Sequence, residues 1–563
     1  MNENVKIYAL GGLDSNGNNL YCVDINGDIF VICCGAGYPD KTTPGIDFII
    51  PNYSFLKDNK TRVKGYIITD AHDDTFGALP FIYREIPAPV FTTHFIGIFF
   101  DLYSKSIGIN QTYDIKEIDL SEQIEIADHK ISFFRNCHSS PDSFGVVLDT
   151  PYGNVVYSGD FIFEYCTNKH FQLDLNTITQ IGKKKTLALL CDSINAGRKG
   201  FTSPNHRIKD IISKDIIDAE GKVFVGLYNQ HFFNYIEIID LVISLTTRQI
   251  CFYDKESETL FKMLSLSGIV NIPSNRVLPA DDLPRTPDKN VVIIISGIGD
   301  KLYNKISLLA VKDVDDKRFS IKETDTFILA CPPAPNFEVL AVDVLDELYR
   351  NNCKVVNVSR KQLVKMHASE DDIKMLVSLI TPKYFIPVKG EYRDLMSNAS
   401  LAINMNIGLN HSNVLLLDNG DVIEFFEANK PPKFSTLCDV AEIGTMMVDG
   451  SGVGDVANEI ILERTRLSTD GVVVLSVVVS ASLKKIIGGP DVQMRGYLFV
   501  KDSEQIIKGV TSILENTIAK FLAKPERFNK QLCEKEIVDE CTRYTRRMTK
   551  RNPIIDPSII VLD

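Results

Sequence analysis

Three short β-rich segments near the start of the chain are each followed by aspartate or histidine, and this repeated pattern constrains the fold more than any other feature. The segments and the polar residues after them are Val63–Thr69 with Asp70 and His72, Ile131–Arg135 with His138, and Val155–Ser158 with Asp160. Side chains at the ends of neighbouring strands can converge on one point, and His and Asp are ligands for Zn2+ or Mn2+. The sequence therefore predicts a β-rich core with a metal site at one end of its strands.

Each of these segments also has a purely structural interpretation. Asp74 or Thr75 can cap a following helix and leave the neighbouring charges solvated. A single histidine is more often a satisfied structural residue than a metal ligand. The metal interpretation depends on the repetition, because successive strands end in the same residue types.

The order of strand-like and helix-like segments predicts the domain organisation. Residues 1–204 are rich in short β-branched runs, which predicts a two-layered β-core with covering helices. Strands and helices alternate over 205–352, the βα order of an inserted parallel-sheet domain. Residues 353–427 resume the first domain, with a strand expected at Val414–Leu417. A polar, proline-containing linker is expected within 428–447, and 448–563 predict a compact α+β domain.

Charge limits the partners that the whole surface can bind. The 563 residues include 61 Lys+Arg and 73 Asp+Glu, a net charge of -12, which argues against a general basic coat for nucleic acid or membranes. A polyanion must therefore meet a local basic surface. One candidate has no acidic residue between its members and lies mostly on a predicted helix: Arg543, Arg546, Arg547, Lys550 and Arg551. It is an RNA-backbone contact or a solvated helix face.

Cysteine usage and hydropathy point to the cytoplasm. The twelve cysteines are scattered apart from Cys33 and Cys34, and the N-terminal residues lack the basic and apolar pattern of a signal peptide. The longest apolar run, Gly471–Val479, is far shorter than the ~20 residues of a membrane span. We expect a reduced cytoplasmic protein without membrane contact.

Six motifs in order resemble the metallo-β-lactamase superfamily and, within it, the β-CASP nucleases of the RNase J family. The family signatures THGHEDH, NHSIPDSFG, TGDFKFD, DSTNA, SGHAS and PVHGEYR are similar to the runs at 69–75, 137–145, 158–164, 192–196, 365–369 and 387–393. Two later segments, Val448–Val456 and Gly489–Tyr497, resemble the last domain of that family. The resemblance covers essentially the whole chain and implies an α/β fold, a metallo-β-lactamase αββα sandwich interrupted by a β-CASP domain and followed by a C-terminal α+β domain.

The first metal site of the family is largely kept here. The resemblance implies that its four ligand positions are occupied by Asp70, His72, His138 and Asp160. Three of these are family ligands, and aspartate in place of histidine at position 70 can itself bind zinc.

The second metal site departs from the family pattern. Its four positions are Asp74, Thr75, Asp160 and Lys389, so two of the four family donors are missing. Threonine is a poor ligand and a protonated lysine is none, so we expect at most one Zn2+ or Mn2+ per chain. The ammonium of Lys389 is expected to offset the repulsion between the two carboxylates; the alternative is that Lys389 points to solvent, as most lysines do.

The resemblance also assigns catalytic and substrate-binding positions. Asp74, Asp192 and His367 stand at catalytic positions, although His367 can also be a helix-start residue. The expected substrate-binding positions are Gln230, His231, Leu363, Val364, Lys365, Met366, His367 and Ser369. Several have lost polar groups that the family uses, and Cys331 replaces a hydroxyl residue, so the phosphate cradle is expected to be incomplete.

Three functions remain open from the sequence. The first is a degenerate member of the family that binds RNA and pairs with itself or with an active paralogue in RNA maturation and decay. The second is a weak one-metal 5'-3' exonuclease or endonuclease acting on RNA, and the third is an RNA- or ribosome-binding module with no nuclease partner. DNA is not an expected ligand.

Overall fold

The structure is a computed structural model that describes residues 3–39, 42–312, 316–334, 336–427, 430–450, 452–454, 458–498, 503–524 and 528–562. The chain forms two compact units. Unit 1 comprises Met1–Tyr38 and Phe48–Met446, and unit 2 comprises Pro39–Asp47 and Met447–Asp563. No helix within the described ranges is long and apolar enough to cross a membrane.

The first part of unit 1 supplies most strands of two sheets, the helices beside them and one strand, Phe48–Pro51, outside both sheets. The strands are β1 (Val5–Gly11), β2 (Leu20–Ile25), β3 (Asp28–Ile32), β4 (Phe48–Pro51), β5 (Val63–Ile67), β6 (Val90–Thr92), β7 (Ile115–Glu117), β8 (Ile124–Ile126), β9 (His129–Arg135), β10 (Phe144–Leu148), β11 (Asn154–Tyr157) and β12 (Thr186–Asp192). The helices are α1 (Ser54–Asp58), α2 (Asp73–Phe76), α3 (Leu79–Ile82), α4 (His94–Ser106) and α5 (Leu175–Lys183).

A third, parallel sheet follows, and the chain then returns to the first two. The elements are α6 (Lys209–Ile217), β13 (Val223–Tyr228), α7 (Phe232–Leu245), β14 (Gln249–Phe252), α8 (Lys255–Leu266), β15 (Val291–Gly297), α9 (Asp300–Ala310), β16 (Thr326–Leu329), α10 (Glu338–Tyr349), β17 (Lys354–Asn357), α11 (Glu370–Ile380), β18 (Tyr384–Val388), α12 (Tyr392–Asn404), β19 (Asp421–Phe425) and β20 (Lys433–Thr436).

The two main sheets form the expected αββα sandwich. The eight-stranded sheet has the order β20-β19-β1-β2-β3-β5-β6-β7, and the six-stranded sheet has the order β18-β12-β11-β10-β9-β8. Contacts between the sheets include the Tyr21 and Tyr157 rings, 5.7 Å apart. Helices α5, α11 and α12 cover the six-stranded sheet, where Ile178, Val377 and Ala402 are buried in one hydrophobic cluster with its strands. The metallo-β-lactamase type of fold expected from the motifs is confirmed.

The inserted sheet has the order β14-β15-β13-β16-β17, and its neighbouring strands are parallel. Strand β17 lies beyond the boundary expected at 352, because the crossover through α10 returns the chain to this sheet before it leaves. This boundary is therefore corrected to a point after Asn357.

Two further expectations need correction. Val414–Leu417 forms a single bridge from Val414 to Phe385 rather than a strand. The expected linker includes residues 428–429, which lie outside the described residues. Within the rest of it, Lys433–Thr436 forms a strand and not an irregular linker. It pairs antiparallel with β19 at the sheet edge, where a polar strand can face solvent on both sides.

Unit 2 is built around a three-stranded sheet covered on one face by two long helices. Its elements are β21 (Thr445–Asp449), β22 (Gly452–Val453), α13 (Asn458–Thr469), β23 (Val472–Ser480), β24 (Lys485–Arg495), α14 (Ser503–Leu522), α15 (Lys530–Thr549) and β25 (Ile554–Leu562). The sheet order is β24-β23-β25. Alternate residues of β23, such as Leu475 and Val477, pack with Leu514 and Ile537 of the helices.

Candidate metal centre

The ends of three parallel strands bring the central residues of the site together. Strand β11 pairs parallel with β12, and β12 pairs parallel with β18, so that Asp192 stands opposite Val388. Asp160 and Lys389 therefore follow at the same edge. Gly159 has a φ of +62°, and a Cβ at this position would lie 2.6 Å from the Phe144 carbonyl oxygen, so the turn that presents Asp160 requires glycine.

Asp70, His72 and His138 form the first group of candidate ligands, with one ligand atom from each lying within 4.8 Å of the others. The Nδ1 atom of His72 is 2.8 Å from Asp70 Oδ1, and Thr75 Oγ1 donates to Asp70 Oδ2 at 3.0 Å. Burial opposes protonation of His72, but the adjacent Asp70 carboxylate raises the pKa of the imidazole above its usual value. Asp70 and Thr75, two of the three metal-site residues that depart from the family pattern, thus bond to each other.

His138 connects this group to Asp160. Its Nδ1 atom lies 2.6 Å from the Met366 carbonyl oxygen, which accepts the ring proton, and its Nε2 atom is 3.5 Å from Asp160 Oδ2. Burial lowers the pKa of His138 to about 3, so the ring is neutral at physiological pH. A neutral imidazole held through Nδ1–H directs the lone pair of Nε2 towards the centre of the site, which is the orientation of a metal-binding histidine.

The structure also offers a direct test of whether a cation fits this centre. Asp160 is 3% exposed, and its Oδ1 atom has no hydrogen-bond partner among the described residues. An unpaired buried carboxylate oxygen costs free energy unless a donor or cation compensates it. The group of Asp70, His72 and His138 is therefore a candidate site for one cation, with the unpaired Asp160 carboxylate oxygen beside His138.

Lys389 occupies the centre of the second site. Its side chain is 2% exposed, and its Nζ atom lies 2.5 Å from Asp160 Oδ2 and 2.8 Å from Asp74 Oδ2. Burial acts to lower the pKa of Lys389, but Asp160 and Asp74 outweigh it and raise that pKa well above the ordinary value. The solvent-facing alternative for Lys389 is therefore wrong. A metal ion bridging Asp74 and Asp160 does not fit beside this ammonium group.

The backbone at Lys389 is also unusual. Lys389 has a φ of +62°, and Gly390 after it has a φ of +119°. Non-glycine residues adopt this left-handed region at a free-energy cost and only where the surroundings enforce it. In this backbone conformation the Lys389 side chain is held by its ion pairs with Asp160 and Asp74.

Asp192 and His367 form a separate hydrogen-bonded pair beside Asp160. His367 Nδ1 is 2.9 Å from Asp192 Oδ2 and 3.9 Å from Asp160 Oδ2, and the His367 side chain is 11% exposed. The His367 carbonyl oxygen accepts hydrogen bonds from Asn195 and Thr202, which fixes the loop before α11. Asp192 thus holds the imidazole through Nδ1 and leaves Nε2 as the ring nitrogen for proton transfer.

Most of the expected phosphate cradle is not accessible. The side chains of Leu363, Val364 and Met366 are buried, and the hydroxyl of Ser369 is buried against Thr202 Oγ1 at 2.6 Å. The three apolar side chains pack into the core. The expectation that these side chains contact substrate is therefore wrong. Among the expected cradle residues, the Lys365 side chain is exposed and accessible to a ligand.

Gln230 and His231 reach the site from the loop after β13. The Gln230 amide donates to Asp73, and the Gln230 carbonyl oxygen is 3.2 Å from His72 Nε2. Burial lowers the pKa of His231 to about 3. Gln230 thus contacts the residues beside the candidate metal rather than facing an open pocket.

Sequence reasoning did not identify Ser139 or Asp73 as part of the centre. Ser139 Oγ lies 2.8 Å from His72 Nε2 and 3.4 Å from His138 Nε2, so it joins the two imidazoles. Asp73 is buried and receives hydrogen bonds from Tyr38 and Gln230. Both residues lie next to recognised ligands in the sequence, but their types alone indicate no specific role.

Comparisons with known proteins agree with this architecture. Family models match 355–411, as the Zn-dependent metallo-hydrolase RNA specificity domain, and 459–562, as the ribonuclease J C-terminal domain. The chain is 30% identical over 558 residues to ribonuclease J2 of Bacillus subtilis strain 168, covering 99% of both chains. It is 27% identical to ribonuclease J 2 of Staphylococcus aureus strain NCTC 8325 / PS 47, covering 99% of this chain and 98% of the relative.

A solved structure supports the fold independently. The crystal structure of a protein of unknown function from Enterococcus faecalis V583 matches 75% of this chain and 100% of its own length, with a TM-score of 0.53 and 12% identity. At this identity the likeness concerns the fold alone. The full-length sequence similarity and the two family models establish the relationship. The chain belongs to the ribonuclease J family.

Proposed function

We propose that this protein binds RNA as a member of the RNA maturation and decay machinery, that its own hydrolytic activity is weak or lost, and that it acts as a partner of an active ribonuclease J. The observation that carries this proposal is the position of Lys389 between Asp74 and Asp160. In a two-metal hydrolase both ions stabilise the attacking and leaving oxygens. An internal ammonium balances charge at the second position but does not bind the attacking water as a Lewis acid.

The proposed first site would hold one Zn2+ or Mn2+ ion through His72, His138 and Asp160, with Asp70 assisting. A bound ion would polarise a phosphoryl oxygen and lower the pKa of a bound water. The chain itself fixes the orientation of these donors, because Met366 holds His138 and Asp70 holds His72. Since removing one electrostatic contributor commonly reduces rates by ~10²–10³, loss of the second ion should reduce hydrolysis at least as much.

One observation favours a second candidate function, a weak one-metal 5'-3' exoribonuclease or endoribonuclease. The His367–Asp192 pair is intact, with 2.9 Å between Nδ1 and Oδ2. Asp192 would hold the imidazole so that the other ring nitrogen of His367 gives a proton to the leaving oxygen. The retained pair explains how slow cleavage could persist after the second metal is lost.

The proposed partner role has support in unit 2. The face of its sheet opposite α14 and α15 exposes large aliphatic side chains, including Ile487, Ile560 and Leu562. Exposed aliphatic groups gathered on one face are typical of protein interaction surfaces. We propose that a second copy or a family paralogue covers this face.

Metal content and turnover, measured on the same purified protein, test the proposal. Elemental analysis should give no more than one Zn2+ or Mn2+ per chain, and an Asp160→Asn variant should lose most of it. Single-turnover cleavage of 5'-monophosphorylated RNA should be far slower than that of an active family member and should stay slow after metal is added. Two tightly bound ions with rapid cleavage would contradict the proposal, whereas one ion with slow, His367-dependent cleavage would favour the second candidate.

Co-purification addresses the partner role separately. The protein isolated from its own cells should carry an intact ribonuclease J or a second copy of itself. Isolation as a monomer with bound RNA and without a family member would instead favour a binding module that works alone.

A further inference from the structure

A stripe of basic side chains runs along the last two turns of α15 and past its end. Arg543, Arg546 and Arg547 follow the i, i+3, i+4 spacing of a single helix face. Lys550, whose φ of +60° ends the helix, and Arg551 follow directly after the last helical residue, Thr549. All five are exposed, so the end of α15 presents five cations in a chain whose net charge is -12.

These cations are only weakly neutralised by the protein itself. Arg543 pairs with Glu540 at 2.8 Å. Arg546, Arg547, Lys550 and Arg551 make no ion pair with a carboxylate in the described part of the chain. Arg551 donates to the Tyr497 carbonyl oxygen, and the Arg547 guanidinium lies over the Tyr544 ring at 5.8 Å from its centre. Such contacts orient the guanidinium groups but leave their charge available to a ligand.

A groove lies beside the stripe. It has a volume of about 530 Å³ and is lined by Leu498, Glu504, Gln505, Ile506, Lys508, Met548 and Thr549. Lys508 adds a cation on the α14 side, and Tyr544 Oη reaches across the helices to the Gln505 carbonyl oxygen. Glu504 is the acidic residue of this lining. The α15 residues that line the groove, Met548 and Thr549, lie between Arg547 and Lys550 in the sequence.

We infer that this surface, hereafter the α15 basic surface, binds the phosphodiester backbone of RNA without reading its bases. Guanidinium groups suit phosphate because they present several N–H donors in a fixed plane. An RNA strand carries one phosphate per nucleotide, so neighbouring cations of this surface pair with successive backbone phosphates. The inference rests on the proposed RNA-binding function and assigns part of it to unit 2, separate from the metal centre of unit 1.

A purely structural role, stabilisation of the helix dipole, does not account for all of these cations. Cations in the last turn stabilise the negative end of a helix dipole. This effect fades beyond the last turn, whereas Arg543 lies nearly two turns before the helix end at Thr549. The helix-dipole role also requires no groove and no cation on α14.

The test compares two double variants of the full-length protein with equal changes in charge. Arg546→Gln with Arg547→Gln removes two cations of the α15 basic surface, and Lys530→Gln with Lys535→Gln removes two from the other end of the same helix. Binding of a single-stranded RNA oligonucleotide is measured over a salt series, and thermal unfolding checks folding. The first variant should bind about tenfold more weakly at low salt, with the slope of log K against log salt reduced by about 1.4. The control should bind like the unmodified protein.

The outcomes separate this inference from the proposed function. If the unmodified protein binds RNA and the Arg546/Arg547 variant binds equally well, the inference is wrong and the proposed function stands. If the unmodified protein does not bind RNA, the proposed function fails first. Polyglutamate that binds the surface as tightly as RNA would overturn the inference in favour of an acidic protein partner.

Discussion

The Nζ atom of Lys389 lies 2.5 Å from Asp160 Oδ2, so an internal cation and a candidate metal ligand form one buried ion pair. Burial alone would raise the pKa of Asp160, but Lys389, His367 and His138 hold that pKa well below its usual range. The same ammonium contacts Asp74 at 2.8 Å. Lys389, Asp160 and Asp74 therefore form a compact cluster in which one ammonium group lies between two carboxylates.

Replacing Lys389 with methionine should destabilise the protein strongly. Methionine keeps an unbranched side chain but leaves Asp160 and Asp74 as neighbouring carboxylates with no ammonium between them. Breaking a buried pair in this way costs about 3–5 kcal/mol. Urea unfolding at neutral pH measures the loss. Adding Asp160→Asn to Lys389→Met should recover part of it, and a single variant as stable as the unmodified protein would show that the pair contributes little.

Restoring the family ligands should return two-metal binding but only part of the activity. In Asp70→His with Thr75→His and Lys389→His, new imidazoles replace the Asp70–Thr75 hydrogen bond and the internal ammonium. Elemental analysis should give two ions per chain. Cleavage of 5'-monophosphorylated RNA should rise yet stay well below that of an active family member, because the cradle side chains remain buried and errors of ~1 Å cost ~10²-fold.

The rate measured with two bound ions identifies the main defect. A background rate would place it in the substrate pocket rather than in the metal centre. Cleavage by the unmodified chain at the restored rate would contradict the degenerate interpretation.

The sequence predicted the sandwich and the convergence of the strand ends well, because hydrophobic periodicity and ordered motifs report directly on strands and their polar ends. The α+β character expected for 448–563 agrees with the three-stranded sheet and the two long helices of unit 2. The Lys433–Thr436 strand was missed because it is polar and exposed on both faces, so no alternation marks it. Sheet-edge pairing depends on a distant partner, β19, which local patterns do not contain.

Side-chain direction was the least predictable property of the site. Thr75 was interpreted as a lost ligand and Asp70 as a substitute ligand, whereas the structure joins them in one hydrogen bond of 3.0 Å. Leu363 and Met366 occupy positions that bind phosphate in the family, yet their side chains are buried. Motif position fixes where the backbone runs, but packing decides which way a substituted side chain points.

A buried histidine outside the metal centre should make the stability depend on pH. Neither ring nitrogen of His206 has a hydrogen-bond partner among the described residues, and burial lowers its pKa to about 3. In the unfolded chain the pKa is about 6.5, so between pH 6.5 and 3 the unfolded state binds the extra proton, and the free energy of unfolding decreases as the pH is lowered. The expected slope from this residue is about 1.4 kcal/mol per pH unit.

The His206→Leu variant isolates this effect. Its stability at pH 7.5 should lie within about 1.5 kcal/mol of the unmodified protein, because the volumes are similar and no hydrogen bond is lost. At pH 5 the variant should gain about 2 kcal/mol relative to the unmodified protein. Urea unfolding at both pH values provides the measurement, with His411→Leu, at an exposed position, as the control. Equal pH dependence in all three proteins would contradict a neutral buried His206.

Charges placed on the open sheet face of unit 2 should weaken self-association or pairing with a paralogue. Ile560 and Leu562 are 54% and 49% exposed and lie two residues apart on β25, so they point to the same side of the sheet. In Ile560→Lys with Leu562→Lys, association would bury two ammonium groups, which should raise the dissociation constant at least about tenfold. Sedimentation over a concentration series measures it. The matched control is Leu266→Lys with Val339→Lys, which charges two exposed aliphatic positions of unit 1. An unchanged dissociation constant in the β25 variant, or the same loss in the control, would place the interface elsewhere.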